Sequence, residues 1–376
     1  MGSLLGPRQV GKTTLALTLS SEYIDKPFID LELESDLAKL SDSEVYFAQC
    51  RNHLIIIGEV QLKPEIFKTL RGIIDKRKRT GEKSAQFLLL GSASRDLLQQ
   101  SSETWAGRIR YLELTPFLAS EVYTDNPIDF KIERLWLRGG FPDSYLAHDD
   151  QESWQWRSDF IATYVERDIP KLGINVSNLR MRRFWSMLAH YHGQQINMSS
   201  LAKSLEVSHT TIRHYLDILT DLYRVRQVQP WSGNTKKRLI KSPKIYIRDT
   251  GLLHRLLSIP EFEDLLGHPV IGASWEGFVI ESILSNISDQ WTASYYRSAE
   301  QTEIDLIFER SMIRYAIEIK RTSAPKVPAG FLRACEDIKA TNKFIIYTGT
   351  DRFPLSNQME AIGLIEFLKN FELQTY

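Results

Sequence analysis

The sequence predicts an α/β protein with several domains, and three observations lead to this expectation. A glycine-rich loop at residues 6–13 lies between a short apolar strand and an apolar helix. Continuous apolar runs of strand length then alternate with helical segments, which is typical of a parallel sheet covered by helices. A chain of 376 residues is also too long for one ordinary core. We expect a parallel-sheet domain at 1–115, a helical linker at 116–190, a winged helix-turn-helix at 191–250 and a second α/β domain at 265–376.

The glycine-rich loop reads Gly-Pro-Arg-Gln-Val-Gly-Lys-Thr, which is a complete P-loop. Gly6 and Gly11 allow positive φ angles, so the backbone can fold around a polyphosphate. The amides that open the helix expected at 13–19 point its positive dipole end at the anion. Lys12 can reach the β- and γ-phosphates, and the Thr13 hydroxyl can hold Mg²⁺. A glycine-rich turn that matches by chance is the alternative.

The loop therefore predicts a site for ATP, or for GTP, together with Mg²⁺. The strand before the loop and the helix after it are both present, as the motif requires. The residues expected to hold the nucleotide are Gly6, Pro7, Arg8, Gln9, Val10, Gly11, Lys12, Thr13 and Thr14.

Further strands of this domain are expected at 27–31, 54–57 and 87–90, because each is a continuous apolar run. A helix is expected over 64–79, where apolar residues recur with a period of 3.6. The residues that show this period are Ile66, Phe67, Leu70, Ile73 and Ile74.

The strand at 54–57 leads into Gly58 and Glu59, where P-loop ATPases normally carry the Walker B carboxylates. An Asp there orients the Mg²⁺ shell, and a following Glu often activates the attacking water. Gly58 takes the place of the Asp, so we expect hydrolysis to be slow. Nucleotide binding should suffer less, since it depends mostly on backbone amides and Lys12. Glu59 is a candidate catalytic residue, and a solvated charge at a strand end is the alternative.

The chain resembles the predicted prokaryotic ATPases of the AAA+ superfamily, which carry a second, largely uncharacterised C-terminal domain. The similarity covers nearly the whole chain. It rests on the P-loop and on the segments at 55–61, 90–94, 106–108, 139–142, 164–169 and 275–279. Two features depart from the family pattern. The chain starts almost at the P-loop, whereas members usually have an additional helix and a longer first strand, and Gly58 replaces the Walker B Asp.

This resemblance implies roles for two more residues. Ser92 stands where AAA+ proteins place a polar residue that senses the γ-phosphate or positions water. Arg108 is a candidate to reach the nucleotide of a neighbouring subunit, which implies a homo-oligomer. For the serine segment, the alternative is that Ser94 caps the next helix. For Arg108, the alternative is an ordinary surface cation.

The region at 116–187 is rich in aromatic and charged residues with helical periodicity, which predicts linker helices. Glu166, Arg167 and Asp168 are adjacent within it. A catalytic role is one interpretation, and an interdomain ion-pair cluster on a helix is the one we favour.

Residues 199–223 have the spacing of a helix-turn-helix. Ser199 or Ser200 is expected to cap the first helix and Ser208 the second. The side chains expected to face outward from the second helix are His209, Thr210, Arg213 and His214. The wing expected over 225–231 and 238–247 carries Lys236, Lys237, Arg238 and Lys241. DNA is the expected partner of this surface, and a plain protein–protein contact is the alternative.

The last third contains two strand-like runs, at 303–308 and 315–320. Asp305 on the first, with Glu318 and Lys320 on the second, matches the PD-(D/E)xK nuclease pattern. Carboxylates on adjacent strands can hold Mg²⁺, which polarises a phosphodiester while the lysine steadies the attacking hydroxide. Glu276, on a helix expected at 275–284, can complete the metal set. The alternative is a degenerate nuclease-like fold without activity, because this short signature is common by chance.

The overall composition excludes several classes of protein. Basic and acidic residues balance at 47 each, so no global field draws the chain to nucleic acid or to a membrane surface. Cys50 and Cys335 are too few for a disulfide framework or a thiolate metal site. No apolar run reaches the length of a bilayer span, and no signal peptide is recognisable. We therefore expect a cytoplasmic protein without a membrane partner.

Two functional hypotheses follow from these features. The first is an ATP-binding protein of the AAA+ type that controls a DNA-binding, nuclease-like C-terminal region. The second is a regulatory or interaction protein that uses nucleotide as a switch and catalyses nothing, which Gly58 favours.

Overall fold

A computed structural model describes residues 1–20, 27–51, 53–81, 87–93, 107–171, 176–233, 237, 239–300 and 302–370. The chain divides into two units. The first contains Met1–Pro116, Thr163–Val176 and Asp217–Arg224, and the second contains Phe117–Ala162, Ser177–Leu216 and Val225–Tyr376. The four domain boundaries expected from the sequence stay predictions.

The first unit is built on a five-stranded sheet with the order β2-β3-β4-β1-β5. Every neighbouring pair is parallel, as expected from the continuous apolar runs. The strands are β1 (Gly2–Leu5), β2 (Phe28–Asp30), β3 (Ile55–Gly58), β4 (Phe87–Gly91) and β5 (Arg110–Glu113).

The helices of this first stretch include the one that follows the P-loop. They are α1 (Lys12–Leu19), α2 (Glu34–Lys39), α3 (Ser43–Gln49) and α4 (Ile66–Arg79), and a 3₁₀ turn covers Val60–Leu62. Helix α4 forms as its apolar period predicts, and it buries Ile66, Phe67 and Leu70 against the core that contains Ile55 and Ile57. The sheet edge that carries the P-loop therefore rests on a packed core.

Beyond residue 116 the described helices are α5 (Ala119–Asp125), α6 (Ile132–Arg138), α7 (Pro142–Tyr145), α8 (Asp150–Thr163), α9 (Ile169–Lys171), α10 (Asn178–His190), α11 (Met198–Leu205), α12 (His209–Asp221), α13 (Thr250–Leu256), α14 (Phe262–Gly267), α15 (Ile271–Leu284), α16 (Ala329–Ile338) and α17 (Leu364–Asn370). A π-helical turn, Tyr164–Asp168, lies between α8 and α9.

A small antiparallel sheet in the second unit has the order β6-β8-β7, with β6 (Gln194–Gln195), β7 (Val225–Val228) and β8 (Lys244–Ile247). Helices α11 and α12 come between β6 and β7 in the chain. Ser208 caps α12 as expected, since its Oγ accepts from the Thr211 amide at 3.0 Å. The cap expected for α11 at Ser199 or Ser200 is wrong, because the Asn197 side chain accepts from the Ser200 amide instead.

A six-stranded mixed sheet forms the other part of the second unit, with the order β13-β14-β12-β11-β10-β9. Strands β9, β10 and β11 are antiparallel neighbours, whereas β11, β12 and β14 run parallel. The strands are β9 (Thr292–Arg297), β10 (Glu303–Arg310), β11 (Ile313–Ile319), β12 (Asn342–Tyr347), β13 (Arg352–Leu355) and β14 (Met359–Gly363).

Helix α15 belongs to the same apolar core as this sheet, through Trp275, Val279 and Ile283 on the helix and Leu306 and Ile317 on the strands. Leu306 lies opposite Ile317, so the adjoining positions of β10 and β11 bring Asp305 beside Glu318. In the described residues, no helix combines the length and apolar character needed to cross a bilayer.

Candidate functional site

The backbone of the P-loop takes the conformation that its glycines permit. Gly6 has φ 152° and Gly11 has φ 87°, and Gln9 is also left-handed at φ 63°. A Cβ at Gly6 would lie 2.0 Å from the Leu114 carbonyl oxygen, so only glycine fits there. The Leu15 amide makes an early helical bond to the Gly11 carbonyl at 2.8 Å, and the preceding amides have no acceptor inside the helix. The loop thus presents N–H donors at the start of α1, as an anion site requires.

Lys12 is buried inside this loop, at 6% exposure. Its ammonium donates to the carbonyl oxygens of Gly6 at 3.0 Å and Pro7 at 2.7 Å. Burial lowers the pKa of Lys12 to about 8; the carboxylate of Glu59 opposes this shift, and the charges of Arg224 and Arg8 add to it. A phosphate group would give this ammonium the counter-charge that two neutral carbonyls do not supply.

The candidate catalytic residues Glu59 and Ser92 lie together at the carboxyl ends of β3 and β4. The Ser92 Oγ is 3.3 Å from the Glu59 Oε2. Gln61 joins them, since its side-chain amide donates to Glu59 and its Oε1 accepts from the Ser92 amide at 3.1 Å. Glu59 itself has φ 53°, which aims its side chain into this network. Sequence reasoning missed Gln61, for which the signal was a polar side chain just after a buried strand.

The residues around the loop fit a nucleotide with Mg²⁺. Thr13 is exposed at the first turn of α1, where its hydroxyl would hold the metal ion. Space does not exclude a carboxylate at position 58, because a Cβ on Gly58 would meet Phe28 Cζ at an ordinary 3.4 Å. Glu59 is therefore the remaining Walker B carboxylate at this strand end. The Asp is missing because the sequence has glycine at position 58, and not because the fold lacks space for it. Bound Mg²⁺ would neutralise charge on the phosphates.

Arg8 of the P-loop is held by three carboxylates. Its guanidinium lies 2.5 Å from Glu32 and 3.6 Å from Glu59, and it also donates to Asp168. Burial alone would lower the pKa of Arg8, but the charges of Glu59, Asp168 and Glu32 outweigh it and raise that pKa. An ion-pair cluster between domains was expected at residues 166–168. Asp168, in the π-helical turn, pairs with Arg8 of the P-loop, but both residues belong to the first unit.

Two further residues of the first unit lie near this site and escaped sequence reasoning, because they are distant in the chain. The Arg224 guanidinium stacks over the Tyr164 ring at 4.1 Å, and Tyr164 Oη donates to the Leu222 carbonyl at 3.4 Å. A small cavity adjoins them, lined by Arg8, Gln61, Leu62, Ser92, Tyr164, Asp168 and Leu222.

Arg108 is paired within its own unit. Its guanidinium makes a two-point contact with Asp75 of α4, at 2.7 and 3.1 Å. This pair gives Arg108 a structural partner, and its reach to a neighbouring subunit stays a prediction. Ser94 lies outside the described residues, as does the helix expected after it.

The nuclease-like pattern forms a second cluster, in the second unit. The Asp305 Oδ2 accepts from the Ile319 amide at 2.9 Å, and the Lys320 ammonium lies 2.7 Å from Glu318. Burial, followed by the charge of Asp305, raises the pKa of Glu318. Glu276 of α15 belongs to the same cluster, because it shares the Lys244 ammonium with Asp305.

Lys244 of β8 was not foreseen at this cluster. Burial alone would lower its pKa, but the negative charges around it, chiefly Glu276 and Asp305, raise it well above the usual value. Among the residues that the structure describes, no three His, Cys, Asp or Glu side chains are arranged to hold a metal ion. Because the Lys244 ammonium already lies beside Glu276 and Asp305, the carboxylates do not fit the metal site expected at Glu276, Asp305 and Glu318.

The surface expected to meet DNA is formed in part. His209, Thr210, Arg213 and His214 are all exposed at the start of α12, as expected. On the expected wing, Lys241 is exposed, but Lys237 lies 2.7 Å from Asp337 and is neutralised by it. Lys236 and Arg238 lie outside the described residues.

Comparison with protein families divides the chain into three parts. Residues 2–123 match an AAA domain, residues 129–263 match the domain of unknown function DUF8612, and residues 271–367 match the domain of unknown function DUF4143. The AAA match covers the P-loop, Glu59, Ser92 and Arg108. The N-terminal region is thus a P-loop domain of the AAA ATPase type.

Two mycobacterial proteins are similar over almost the whole chain. "Uncharacterized protein Rv2008c" of Mycobacterium tuberculosis and "Uncharacterized protein Mb2031c" of Mycobacterium bovis are each 42% identical over 365 residues, which is 97% of this chain and 80% of theirs. Among solved structures, the RuvB Holliday junction branch migration motor of Thermotoga maritima aligns with 60% of this chain and 81% of its own, at 18% identity and a TM-score of 0.30. So low a TM-score says nothing about what this chain acts on.

Proposed function

This chain belongs to the same family as the mycobacterial proteins Rv2008c and Mb2031c, and from its own site we propose that it binds ATP with Mg²⁺ and hydrolyses it slowly. One observation carries the proposal: the buried Lys12 ammonium lies inside a left-handed, glycine-bounded loop that leads directly into α1. Carbonyl oxygens hold that ammonium, and a triphosphate would replace them with stronger acceptors.

The residues that follow β3 lead us to propose that ATP hydrolysis is slow. Glu59, oriented by Gln61 and close to Ser92, is placed to accept a proton from an attacking water. Gly58 offers no carboxylate to fix the Mg²⁺ shell, so the reacting groups are less well positioned for phosphoryl transfer. Nucleotide binding is affected less, because it depends on backbone amides and Lys12.

A direct test compares binding of a fluorescent ATP analogue to the wild type and to the Lys12→Ala variant, with Mg²⁺. We expect the variant to bind at least about tenfold more weakly, since a charge-assisted contact is worth about 1.5–3 kcal/mol. Lys68→Ala on the exposed face of α4 is the matched control and should bind like the wild type. Equal affinity of the Lys12→Ala and wild-type proteins would refute the proposed site.

For the C-terminal region we propose a DNA-directed role under nucleotide control. The proposal that residues 191–250 form a winged helix is supported by the succession α10-β6-α11-α12-β7-β8 and the sheet order β6-β8-β7, and the exposed start of α12 would then meet DNA. The proposal of a PD-(D/E)xK nuclease-like core is supported by the succession α15-β9-β10-β11-α16-β12. Asp305, Glu318 and Lys320 lie at its predicted catalytic positions.

The second candidate function is a nucleotide-dependent switch that catalyses nothing, and the lysine within the carboxylate cluster favours it. A Mg²⁺-dependent nicking assay on supercoiled DNA distinguishes the two, with Asp305→Ala as the comparison. Cleavage by the wild type that the variant lacks supports the nuclease, whereas no cleavage by either supports the switch.

A further inference from the structure

The carboxylate cluster of the second unit already contains a cation that belongs to the protein. Lys244 of β8 is 2% exposed. Its ammonium lies 2.6 Å from Glu303 Oε1, 3.0 Å from Glu276 Oε1 and 3.7 Å from Asp305 Oδ1. These carboxylates come from α15 and β10, so one ammonium joins a helix to a strand.

A second side chain of β8 completes this arrangement. Tyr246, two residues after Lys244 and hence on the same face of the strand, donates its hydroxyl to Glu276 Oε1 at 2.5 Å. Glu276 Oε1 therefore accepts two hydrogen bonds from β8. Both donors are buried, so water does not compete for these contacts.

Another carboxylate of the cluster has an oxygen atom that could still serve as a metal ligand. Glu318 is 6% exposed, and its Oε1 faces Lys320 at 2.7 Å, but its Oε2 is buried without a hydrogen-bond partner among the described residues. A buried carboxylate oxygen without a donor is unfavourable, because it has lost its water and gained no hydrogen bond in return. The negative charges of Asp305 and Glu303 both raise the pKa of Glu318, so the three carboxylates belong to one electrostatic cluster.

The carboxylates of this cluster outnumber the cations that face them. Four carboxylates take part, from Glu276, Glu303, Asp305 and Glu318. Three cations face them, from Lys244, Lys320 and Arg297, the last at 3.4 Å from Glu303. Removal of the Lys244 ammonium would leave Glu276, Glu303 and Asp305 without the cation that they share, and carboxylate oxygens are ligands that divalent cations prefer.

We propose that Lys244 is a tethered cation that takes the place of a divalent metal ion beside Glu276, Glu303 and Asp305, so that the ammonium and a metal ion exclude each other. The inference rests on the proposed nuclease-like arrangement, because it concerns the same carboxylates. In the wild type, the cluster is then an ion-pair network that contains no metal ion. Lys244 is the residue that prevents a metal ion from binding there.

The test is Mn²⁺ binding, measured by electron paramagnetic resonance without nucleotide, to the wild type and to Lys244→Met, which keeps the shape of the side chain and removes its charge. We expect Lys244→Met to bind one Mn²⁺ at least about 100-fold more tightly than the wild type, since a like charge within 4 Å is gone. The melting temperature of the variant should rise with Mn²⁺ while that of the wild type does not.

Two controls locate the ion. Lys244→Met combined with Asp305→Asn should lose the Mn²⁺ binding, and Lys326→Met, at an exposed lysine of the same unit, should behave like the wild type. A folded Lys244→Met protein that binds Mn²⁺ no better than the wild type would overturn the proposal.

The wild type provides a measurement that does not depend on the variant folding. We expect no Mn²⁺ site that Asp305→Asn abolishes, and a tight site of that kind would overturn the proposal. The nicking assay separates this inference from the nuclease proposal. If Lys244→Met binds Mn²⁺ at Asp305 but cleaves no DNA, the tethered cation stands and the nuclease proposal fails.

Discussion

The guanidinium of Arg8 in the P-loop donates a hydrogen bond to the carboxylate of Asp168, which lies 160 residues further along the chain. Asp168 ends the π-helical turn Tyr164–Asp168, and turns of this kind often occur at functional sites. Because Arg8 also contacts Glu32 and Glu59, one side chain ties this distant turn to the end of β2 and to the candidate catalytic carboxylate. The P-loop is thus held by a segment that its own motif does not include.

We predict that Arg8 and Asp168 are energetically coupled. Both side chains are mostly buried, so a double-mutant cycle of Arg8→Ala and Asp168→Ala should give a coupling energy of about 1.5–3 kcal/mol. Urea unfolding of the four proteins measures it. A coupling energy near zero would show that this contact contributes no stability.

Gly58→Asp should raise the rate of ATP hydrolysis about 10- to 100-fold, which is the usual effect of a residue that orients a metal ligand. The Cβ has space beside Phe28, so the fold should tolerate the change. Steady-state phosphate release measures the rate, and Gly58→Ala controls for the added methyl group. Equal turnover of the Gly58→Asp and Gly58→Ala proteins would contradict the role given to this position.

Nucleotide affinity should depend on pH through Lys12, whose pKa lies near 8 before nucleotide binds. Phosphate groups raise that pKa, so above pH 8 binding must take up a proton and the affinity falls, by up to about tenfold for each pH unit. Titrations of ATP at pH 7, 8 and 9 measure this. In Lys12→Arg the side chain stays charged, and any remaining affinity should not change over this range. A wild-type affinity that is constant from pH 7 to 9 would argue against the buried ammonium.

Glu281 of α15 should stabilise the protein at neutral pH but not in acid. Burial alone would raise its pKa, but Arg226 and Arg248 outweigh burial and lower it to about 2. Its contribution is therefore complete above the ordinary value of about 4.5 and is lost as the pH falls toward 2, with a total of about 3 kcal/mol. Glu281→Gln should lower the free energy of unfolding at pH 6, and its difference from the wild type should shrink by pH 3. A difference that stays constant with pH would contradict this assignment.

Local sequence was sufficient for the P-loop, because its glycines, strand and helix are continuous in the chain. It also placed Glu59 and Ser92 at the ends of buried parallel strands whose carboxyl ends meet at one sheet edge, and their catalytic roles stay predictions. The positions of Asp305 and Glu318 followed from strand alternation and a short hairpin.

The contacts that modify these sites could not be predicted in the same way. Asp168 and Lys244 reach their partners only through the packing of distant segments, and a lysine in a short strand reads as a surface cation from the sequence alone. Asn197 replaced the expected serine caps because the helix begins two residues earlier, and terminal residues are the least certain part of a predicted helix.

We propose above all that the loop at residues 6–13 binds a nucleoside triphosphate. Isothermal titration calorimetry of the wild type with ATP and Mg²⁺ tests this most directly. We predict saturable heat with one nucleotide per chain, and Lys12→Ala should abolish or strongly weaken it. A folded wild-type protein that gives no heat with ATP or GTP in the presence of Mg²⁺ would contradict the claim.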